Sequence, residues 1–232
     1  MTDYEGAFFD IGGVLLDLAS VRAGYVTFLD RFAEREGIAD SDALADDWRS
    51  ALGAYFSGRE GTEYRRALPG YQRAIEEATG REVAEAEWRP LFEEATAEHI
   101  RPVDGAVEVV EALDRAGVYL GVISDIDTWE AERMLGQFGI WERFHHVTTS
   151  EAVGRTKPDP AMFEAALSKA PVAPGDSLYV GDRYDHDMRG GKEAGLVTVA
   201  YGEEATDGPA ENVDYVVEDF REILDIAGVR RE

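Results

Sequence analysis

The sequence contains no cysteine, which excludes disulfide bonds and thiolate metal sites and fits a reducing compartment. It also contains no apolar run of the about 18 residues that a membrane-spanning helix needs. Residues 1–6 lack the basic-then-apolar layout of a signal peptide. We therefore expect a cytoplasmic protein that has no membrane partner.

Lysine is scarce, because arginine supplies every basic residue except Lys157, Lys169 and Lys192. The 23 basic residues face 48 acidic ones, which gives a formal net charge of -25. Self-repulsion of this size lowers the stability of the fold at low ionic strength and is screened in concentrated salt. We therefore expect a halophilic protein from a salt-rich cytoplasm. The chain has no basic patch for nucleic acid. A monomer or a homodimer is the expected state.

Short apolar or β-branched runs alternate with helical patterns through most of the chain, whose 232 residues are enough for a full hydrophobic core. The runs predict buried strands at residues 7–16, 119–123, 146–149, 177–180, 197–200 and 214–217. Helical patterns lie at residues 106–116, 129–138, 161–168 and 186–194. This alternation predicts an α/β fold, with a Rossmann-like parallel sheet and helices on both faces.

Residues 19–100 differ from the rest, because helix follows helix without a strand. Helices are expected at residues 21–36, 42–56, 62–79 and 84–98, with glycines and capping residues between them. We therefore predict a core domain formed by residues 1–18 and 101–232, and an all-helical domain at 19–100 inserted after the first strand. A block in that place is expected to cover the carboxyl edge of the sheet.

Two of the predicted strands end in residues that are suited to phosphate chemistry. Asp10 closes the first apolar run, and the glycines that follow it allow a close backbone approach to a ligand, although a plain turn explains the same pattern. Ser124 and Asp125 close the second strand. The Ser124 hydroxyl can bind a phosphoryl oxygen or cap the next helix.

Lys157 lies in the stretch "GRTKPDPAMF", just before a strong helix start formed by Asp159 and Pro160. A solvent-exposed lysine is the simple interpretation. Because the chain otherwise prefers arginine, Lys157 is also a candidate point charge for a phosphate group.

The fourth strand end carries several acids in "LYVGDRYDHDM". Asp182 follows Gly181, and Asp185 and Asp187 come within one turn of it. Clustered carboxylates repel one another and raise their own pKa values unless a cation neutralises them. Hard oxygen ligands of this kind suit Mg²⁺, whereas helix capping explains one of the acids and not all three.

The order Asp, Ser, Lys and paired Asp, each after a strand of a parallel sheet, resembles the haloacid dehalogenase (HAD) superfamily of hydrolases. The resemblance implies a helical cap at residues 19–100 and a phosphatase-like activity on a small phosphorylated metabolite. It also implies an aspartyl-phosphate intermediate.

The resemblance assigns roles residue by residue. Asp10 would be the nucleophile, and Asp10, the Gly12 carbonyl, Asp182 and Asp187 would hold Mg²⁺ as the cofactor, with Asp187 acting directly or through water. The implied catalytic residues are Asp10, Ser124 and Lys157. The implied phosphate-binding residues are Gly12, Gly13, Ser124, Asp125 and Lys157.

Gly12 departs from the family pattern, which places there an aspartate that protonates the leaving group. Such acid help is worth roughly 10² to 10⁴-fold in rate. Three alternatives stay open: a phosphatase whose acid comes from elsewhere or whose leaving group needs none, a 2-haloacid dehalogenase, and a non-catalytic binding or regulatory protein. A departing halide needs no proton, but true 2-haloacid dehalogenases need no metal, so the acidic fourth motif favours the phosphatase.

Overall fold

A computed structural model describes residues 4–230 of the chain. The chain divides into two compact units. The core unit combines Met1–Asp17 with Pro102–Glu232, and the helical unit is Leu18–Arg101. None of the helices in the described range combines the length and the apolar character that crossing a bilayer requires.

The core unit is built on one six-stranded sheet in which every described strand pair is parallel. The strands, in chain order, are β1 (Gly6–Phe9), β2 (Tyr119–Ser124), β3 (His146–Thr149), β4 (Ser177–Gly181), β5 (Val197–Tyr201) and β6 (Tyr215–Val217). Their order across the sheet is β3-β2-β1-β4-β5-β6. The prediction of a parallel α/β fold is therefore confirmed.

The described residues form ten α-helices. They are α1 (Leu18–Glu36), α2 (Ser41–Ser57), α3 (Ala67–Thr79), α4 (Glu85–His99), α5 (Ala106–Arg115), α6 (Thr128–Gln137), α7 (Ser150–Val153), α8 (Pro160–Leu167), α9 (Arg189–Glu193) and α10 (Glu222–Ile226). The predicted start of α8 is confirmed, since Asp159 caps it and Pro160 is its first residue. The first four helices make up the helical unit.

The central strand β1 is buried on both faces of the sheet. Phe8 packs with Phe163 of α8 on one face, and Phe9 contacts Phe144 and Phe220 on the other, with ring centroids 6.4 and 6.2 Å away. Successive side chains of a strand point to opposite faces, so a strand covered on both faces is apolar throughout. This burial fixes the height at which the next residue, Asp10, leaves the sheet.

The prediction that the first strand reaches residue 16 is wrong, because β1 ends at Phe9. The Ile11 carbonyl accepts backbone hydrogen bonds from Val14, Leu15 and Leu16, at 3.3, 2.9 and 2.8 Å. The turn includes Gly13 at φ 75°, a conformation that side chains rarely adopt. Apolar residues after the strand therefore form a tight buried turn that periodicity cannot distinguish from a longer strand.

The helical unit has an aromatic core of its own. Trp48 and Tyr71 stack with ring centroids 6.2 Å apart, and Tyr71 lies 4.7 Å from Phe92. Helix α3 begins at Ala67 and not at residue 62 as predicted. Pro69 lies in its first turn, where the missing N–H costs no helical hydrogen bond.

Candidate active site

Asp10 lies at the carboxyl end of β1 and is 3% exposed. Its Oδ1 accepts a 2.8 Å hydrogen bond from the backbone N–H of Ile11 and lies 3.0 Å from Lys157 Nζ. Burial raises the pKa of the Asp10 carboxyl, whereas the positive charge of Lys157 and a hydrogen bond from Ser124 oppose that rise. The structure thus brings Asp10 together with Ser124 and Lys157, which both lie more than a hundred positions after it in the sequence.

Lys157 is fully buried, and its ammonium group lies between two carboxylates. Besides Asp10, Nζ contacts Asp187 Oδ1 at 2.6 Å and the Tyr179 hydroxyl at 3.0 Å. Burial disfavours the charged form, but Asp10 and Asp187 outweigh it and raise the pKa of Lys157 above its ordinary value. Lys157 is therefore a permanent cation at the bottom of the site and not a surface lysine.

Asp10, Asp182 and Asp187 each place one carboxylate oxygen within 4.8 Å of the others. Asp182 Oδ1 is buried and has no hydrogen-bond partner within residues 4–230. Burial and the charges of Asp10 and Asp187 raise the pKa of Asp182 to about 7. A buried oxygen without a donor, among acids that repel one another, suits a hard cation, so this cluster can bind a metal ion.

Gly13 makes room for this cluster. A Cβ atom there would lie 1.9 Å from Asp182 Oδ2, and the φ of 75° excludes most side chains independently. The carboxylate of Asp182 therefore occupies space that any residue other than glycine would fill. Gly12, the neighbouring residue, is half-buried and leaves the cluster without the fourth acid that the family pattern expects.

Asp187 is held by four donors from the protein itself. Its Oδ1 accepts from Lys157 and from Tyr179, the latter at 2.8 Å, and its Oδ2 accepts from the backbone N–H groups of Asp182 and Arg183 at 3.2 and 3.0 Å. Burial opposes ionisation, yet Lys157 and Arg183 lower the pKa of Asp187. Direct ligation by Asp187 would have to displace one of these donors, so the geometry favours contact with a metal through water.

Asp125 orients the loops around the site. Its Oδ1 accepts 2.8 Å hydrogen bonds from the Ser150 hydroxyl and the Lys157 backbone, and its Oδ2 lies 3.3 Å from His186 Nδ1 and 3.4 Å from Arg183. Burial opposes ionisation, but His186 and Lys157 lower the pKa of Asp125 to about 2. An ionised carboxylate repels phosphate, so the side chain does not suit the phosphate-binding role expected for Asp125, and its backbone N–H is what remains for it.

Two residues near the site have roles that sequence reasoning misplaced. Asp185 points into solvent, where its side chain is 74% exposed and pairs with Arg189 at 3.3 Å, so it lies outside the acidic cluster. Tyr179 was not predicted, although it is buried and contacts both Lys157 and Asp187. The one signal for Tyr179 was a hydroxyl in the apolar middle of the strand.

Curated relatives resemble part of this chain. The glyceraldehyde 3-phosphate phosphatase of Methanopyrus kandleri is 32% identical over 136 residues, which cover 55% of this chain and 57% of the relative. The N-acetylmuramic acid 6-phosphate phosphatase of Pseudomonas aeruginosa is 32% identical over 144 residues, or 60% and 63% of the two chains. The chain thus aligns with less than two thirds of the length of either relative.

A solved structure resembles the whole chain. The HAD-hydrolase YfnB of Bacillus subtilis, crystallised with bound magnesium, superposes with a TM-score of 0.72 at 20% identity. The superposition covers 97% of this chain and 99% of YfnB. At this level of identity, the similarity shows the fold alone.

A family of hydrolases matches the part of the chain that contains the candidate site. The model of the haloacid dehalogenase-like hydrolases matches residues 4–195, which include Asp10, Ser124, Lys157 and Asp182. These four residues end or follow separate strands of one sheet, and the fold agrees with the family. The chain belongs to the haloacid dehalogenase-like hydrolase family.

Proposed function

We propose that the protein is a Mg²⁺-dependent phosphatase that hydrolyses a small phosphorylated metabolite through an aspartyl-phosphate on Asp10. The observation that carries the proposal is the contact of a buried carboxylate, Asp10, with a buried ammonium group, Lys157, beside the acidic cluster. The relatives support the same class, since their names give glyceraldehyde 3-phosphate and N-acetylmuramic acid 6-phosphate as substrates.

Asp10, Asp182 and the carbonyl of Gly12 would hold the Mg²⁺ ion, with Asp187 reaching it through water. When bound, the ion neutralises the charge of the acids and polarises the phosphoryl group. Among residues 4–230, no donor bonds to the buried Asp182 Oδ1, and this supports a cation there.

In the proposed reaction, an Asp10 carboxylate oxygen attacks phosphorus and the bond from phosphorus to the leaving oxygen breaks. Lys157 and Ser124 bind the equatorial oxygens and stabilise the charge that develops on them. Water then attacks the phosphoryl group and releases Asp10. The backbone of Gly12 and the backbone N–H of Asp125 are proposed to contribute to phosphate binding. The expected contribution of Gly13 is limited, because its N–H donates to the Leu16 carbonyl at 2.9 Å.

The helical unit, Leu18–Arg101, is proposed to act as a cap that selects the substrate. Its expected boundaries, residues 19–100, differ from those of the compact unit by one residue at each end. We also propose a cytoplasmic protein that acts as a monomer or homodimer.

Dehalogenation is a second candidate because Gly12 offers no acid and a halide leaves without a proton. The acidic cluster argues against it, since buried carboxylates at this separation serve a cation that such a reaction does not need. Halide release from a 2-haloacid in the presence of EDTA would establish this alternative.

A binding protein without activity would bind phosphate or metal and turn over no substrate.

A screen of sugar, nucleotide and glycolytic phosphates tests the proposed function. We expect phosphate release that requires added Mg²⁺, disappears with EDTA and is restored by excess Mg²⁺. The screen should be run in molar KCl, so that the acidic chain is folded and its surface charge is screened. Phosphate release that EDTA leaves unchanged would contradict the role of the metal.

We propose, from its charge, that the protein is adapted to a salt-rich cytoplasm. Basic side chains can pair with fewer than half of its 48 acidic ones, so added salt screens more repulsion than attraction. Raising KCl from about 0.1 to about 2 M is expected to raise the melting temperature by about 5 to 10 °C, which corresponds to about 2 to 3 kcal/mol.

Scanning calorimetry with KCl, and with sucrose as a control for general exclusion effects, measures this shift. The larger part of it should occur below about 1 M, where the Debye length falls fastest. A melting temperature that does not change with KCl, or one that rises equally in sucrose, would contradict the electrostatic explanation.

A further inference from the structure

Arg183 is a second cation at the site, and it lies farther out than Lys157. Its side chain is 32% exposed, whereas those of Lys157 and Asp10 are 0% and 4% exposed. Its guanidinium NH2 group lies 3.4 Å from Asp125 Oδ2, and its Nε lies 3.9 Å from Asp182 Oδ1. Arg183 thus bridges the phosphate side of the site and the metal side.

The guanidinium group of Arg183 has donors to spare. A guanidinium carries five N–H donors in one plane. Within residues 4–230, this side chain donates one hydrogen bond, the long contact with Asp125. A partly buried cation with unused donors beside a nucleophile is suited to bind an anionic oxygen of the substrate.

The direction of attack determines which oxygen Arg183 can meet. In phosphoryl transfer the nucleophile and the leaving oxygen lie on opposite sides of phosphorus. Because Asp10 attacks from the buried end of the site, the leaving group lies toward the exposed end. Arg183 is the more exposed of the two cations Lys157 and Arg183, and Gly12 has no side chain that could donate a proton to the leaving oxygen.

We infer that Arg183 binds the leaving group and that the substrate is a phosphoric anhydride, whose leaving group departs as an anion. The leaving group is a phosphate or a carboxylate, and the cation replaces the missing acid. This inference rests on the proposed function. It names the substrate class of that site, because an alkoxide from a simple phosphate ester would need the proton that Gly12 cannot supply.

The reaction balances without a proton donor. In the first step, an Asp10 oxygen bonds to phosphorus, the bond from phosphorus to the bridging oxygen breaks, and the bridging oxygen leaves with the electron pair as phosphate or carboxylate. In the second step, water bonds to phosphorus and the Asp10 oxygen leaves with its electron pair. One proton of the water stays on the new P–OH group and the other passes to solvent.

Turnover of anhydrides and esters by matched variants tests the inference. Pyrophosphate and acetyl phosphate are the anhydrides, and glycerol phosphate is the ester. We expect Arg183→Gln to lower kcat/KM for both anhydrides about 10²-fold, as for the loss of one charge-stabilising donor, and to change it for the ester less than about threefold. Arg189→Gln is the control, since Arg189 begins helix α9, six residues after Arg183, and pairs with exposed Asp185.

Binding provides a second readout that does not depend on turnover. Methylenediphosphonate and inorganic phosphate are titrated calorimetrically into the Asp10→Asn protein, with and without the change Arg183→Gln. Arg183→Gln should weaken the binding of methylenediphosphonate at least about tenfold, and it should weaken the binding of inorganic phosphate much less. A Gly12→Asp variant should reverse the preference by raising turnover of the ester about 10²-fold.

Equal losses on anhydrides and ester would overturn the inference, because Arg183 would then bind the transferred phosphoryl group. So would an unchanged rate on anhydrides, or an ester turned over by the wild type as fast as pyrophosphate. Failure of the proposed function looks different. In that case, no substrate would show turnover that disappears in Asp10→Asn.

Discussion

Replacing Asp10 by asparagine is expected to lower phosphatase turnover at least about 10⁴-fold. An amide oxygen is a poor nucleophile, and loss of a nucleophile removes the covalent path altogether. The fold should survive, because the amide keeps the size of the carboxylate and can still accept the hydrogen bond from the Ile11 backbone. Steady-state rates at saturating Mg²⁺ measure the loss.

Two controls separate a nucleophile from a metal ligand or a structural residue. Asp185→Asn changes an exposed acid of the neighbouring loop and should leave the rates unchanged. Acid-quenched wild-type protein should carry one phosphoryl group on the peptide that contains Asp10, and the Asn variant should carry none. A variant that retains more than about a tenth of the wild-type rate would contradict the covalent mechanism.

The sequence predicted which strand ends lie together, because that follows directly from the topology of the sheet. Parallel strands place their carboxyl ends on one edge, so residues after β1, β2 and β4 had to meet once the strands were recognised. The register shows how closely, because Phe9 pairs with both Val122 and Val180. Asp10, Ser124 and Asp182 therefore leave the sheet within about one residue of the same height.

The loop after β4 shows what sequence patterns could not predict. Residues Tyr184–Met188 form a π-helical turn, in which Met188 N–H bonds to the Arg183 carbonyl five residues back. The wider turn directs Asp187 inward and leaves Asp185 in solvent. Spacing rules for an α-helix cannot tell which of these two acids faces the site, since the sequence does not show that the turn is π-helical.

The packing around Asp187 could not be predicted from the sequence either. A Cβ at Gly181 would lie 2.2 Å from Asp187 Cβ, so this glycine lets the loop fold back against its own strand. That close approach also gives Asp187 the two backbone donors that follow Gly181. Contacts of this kind between a backbone and a side chain depend on the three-dimensional path of the loop. They leave no periodic signal in the sequence.

Lys157 has a structural role in addition to the catalytic role that we propose for it. A buried ammonium group is tolerated only when opposite charges replace its lost hydration. Here Asp10 and Asp187 do so at 3.0 and 2.6 Å, and the ammonium in turn keeps two adjacent carboxylates from repelling each other. Stability and the phosphate binding that we propose therefore depend on the same atom, Lys157 Nζ.

Replacing Lys157 by methionine, which has a similar length and no charge, is expected to have two large effects. Turnover should fall at least about 10³-fold, because the phosphoryl group loses its buried cation. The free energy of unfolding measured in EDTA should fall by about 3 to 5 kcal/mol, because Asp10 and Asp187 would remain buried without a counter-charge.

Lys192→Met is the matched control for stability. Lys192 pairs with Asp214 at the same 2.6 Å distance, but the two side chains are 36% and 30% exposed. Solvent screens such a pair, so its loss should cost about 0 to 1 kcal/mol. Urea unfolding of the two variants beside the wild type compares a buried cation with an exposed one at equal separation.

The pH dependence of the free energy of unfolding provides a further test of the Lys157 prediction. Asp10 and Asp187 raise the pKa of Lys157, so its contribution to stability is fully present below about pH 10.4, the unfolded value. The difference between wild type and Lys157→Met should therefore persist from pH 8 to about 10 and shrink only as the pH rises through the folded pKa. Equal stability losses in Lys157→Met and Lys192→Met would show that burial does not set the strength of this ion pair.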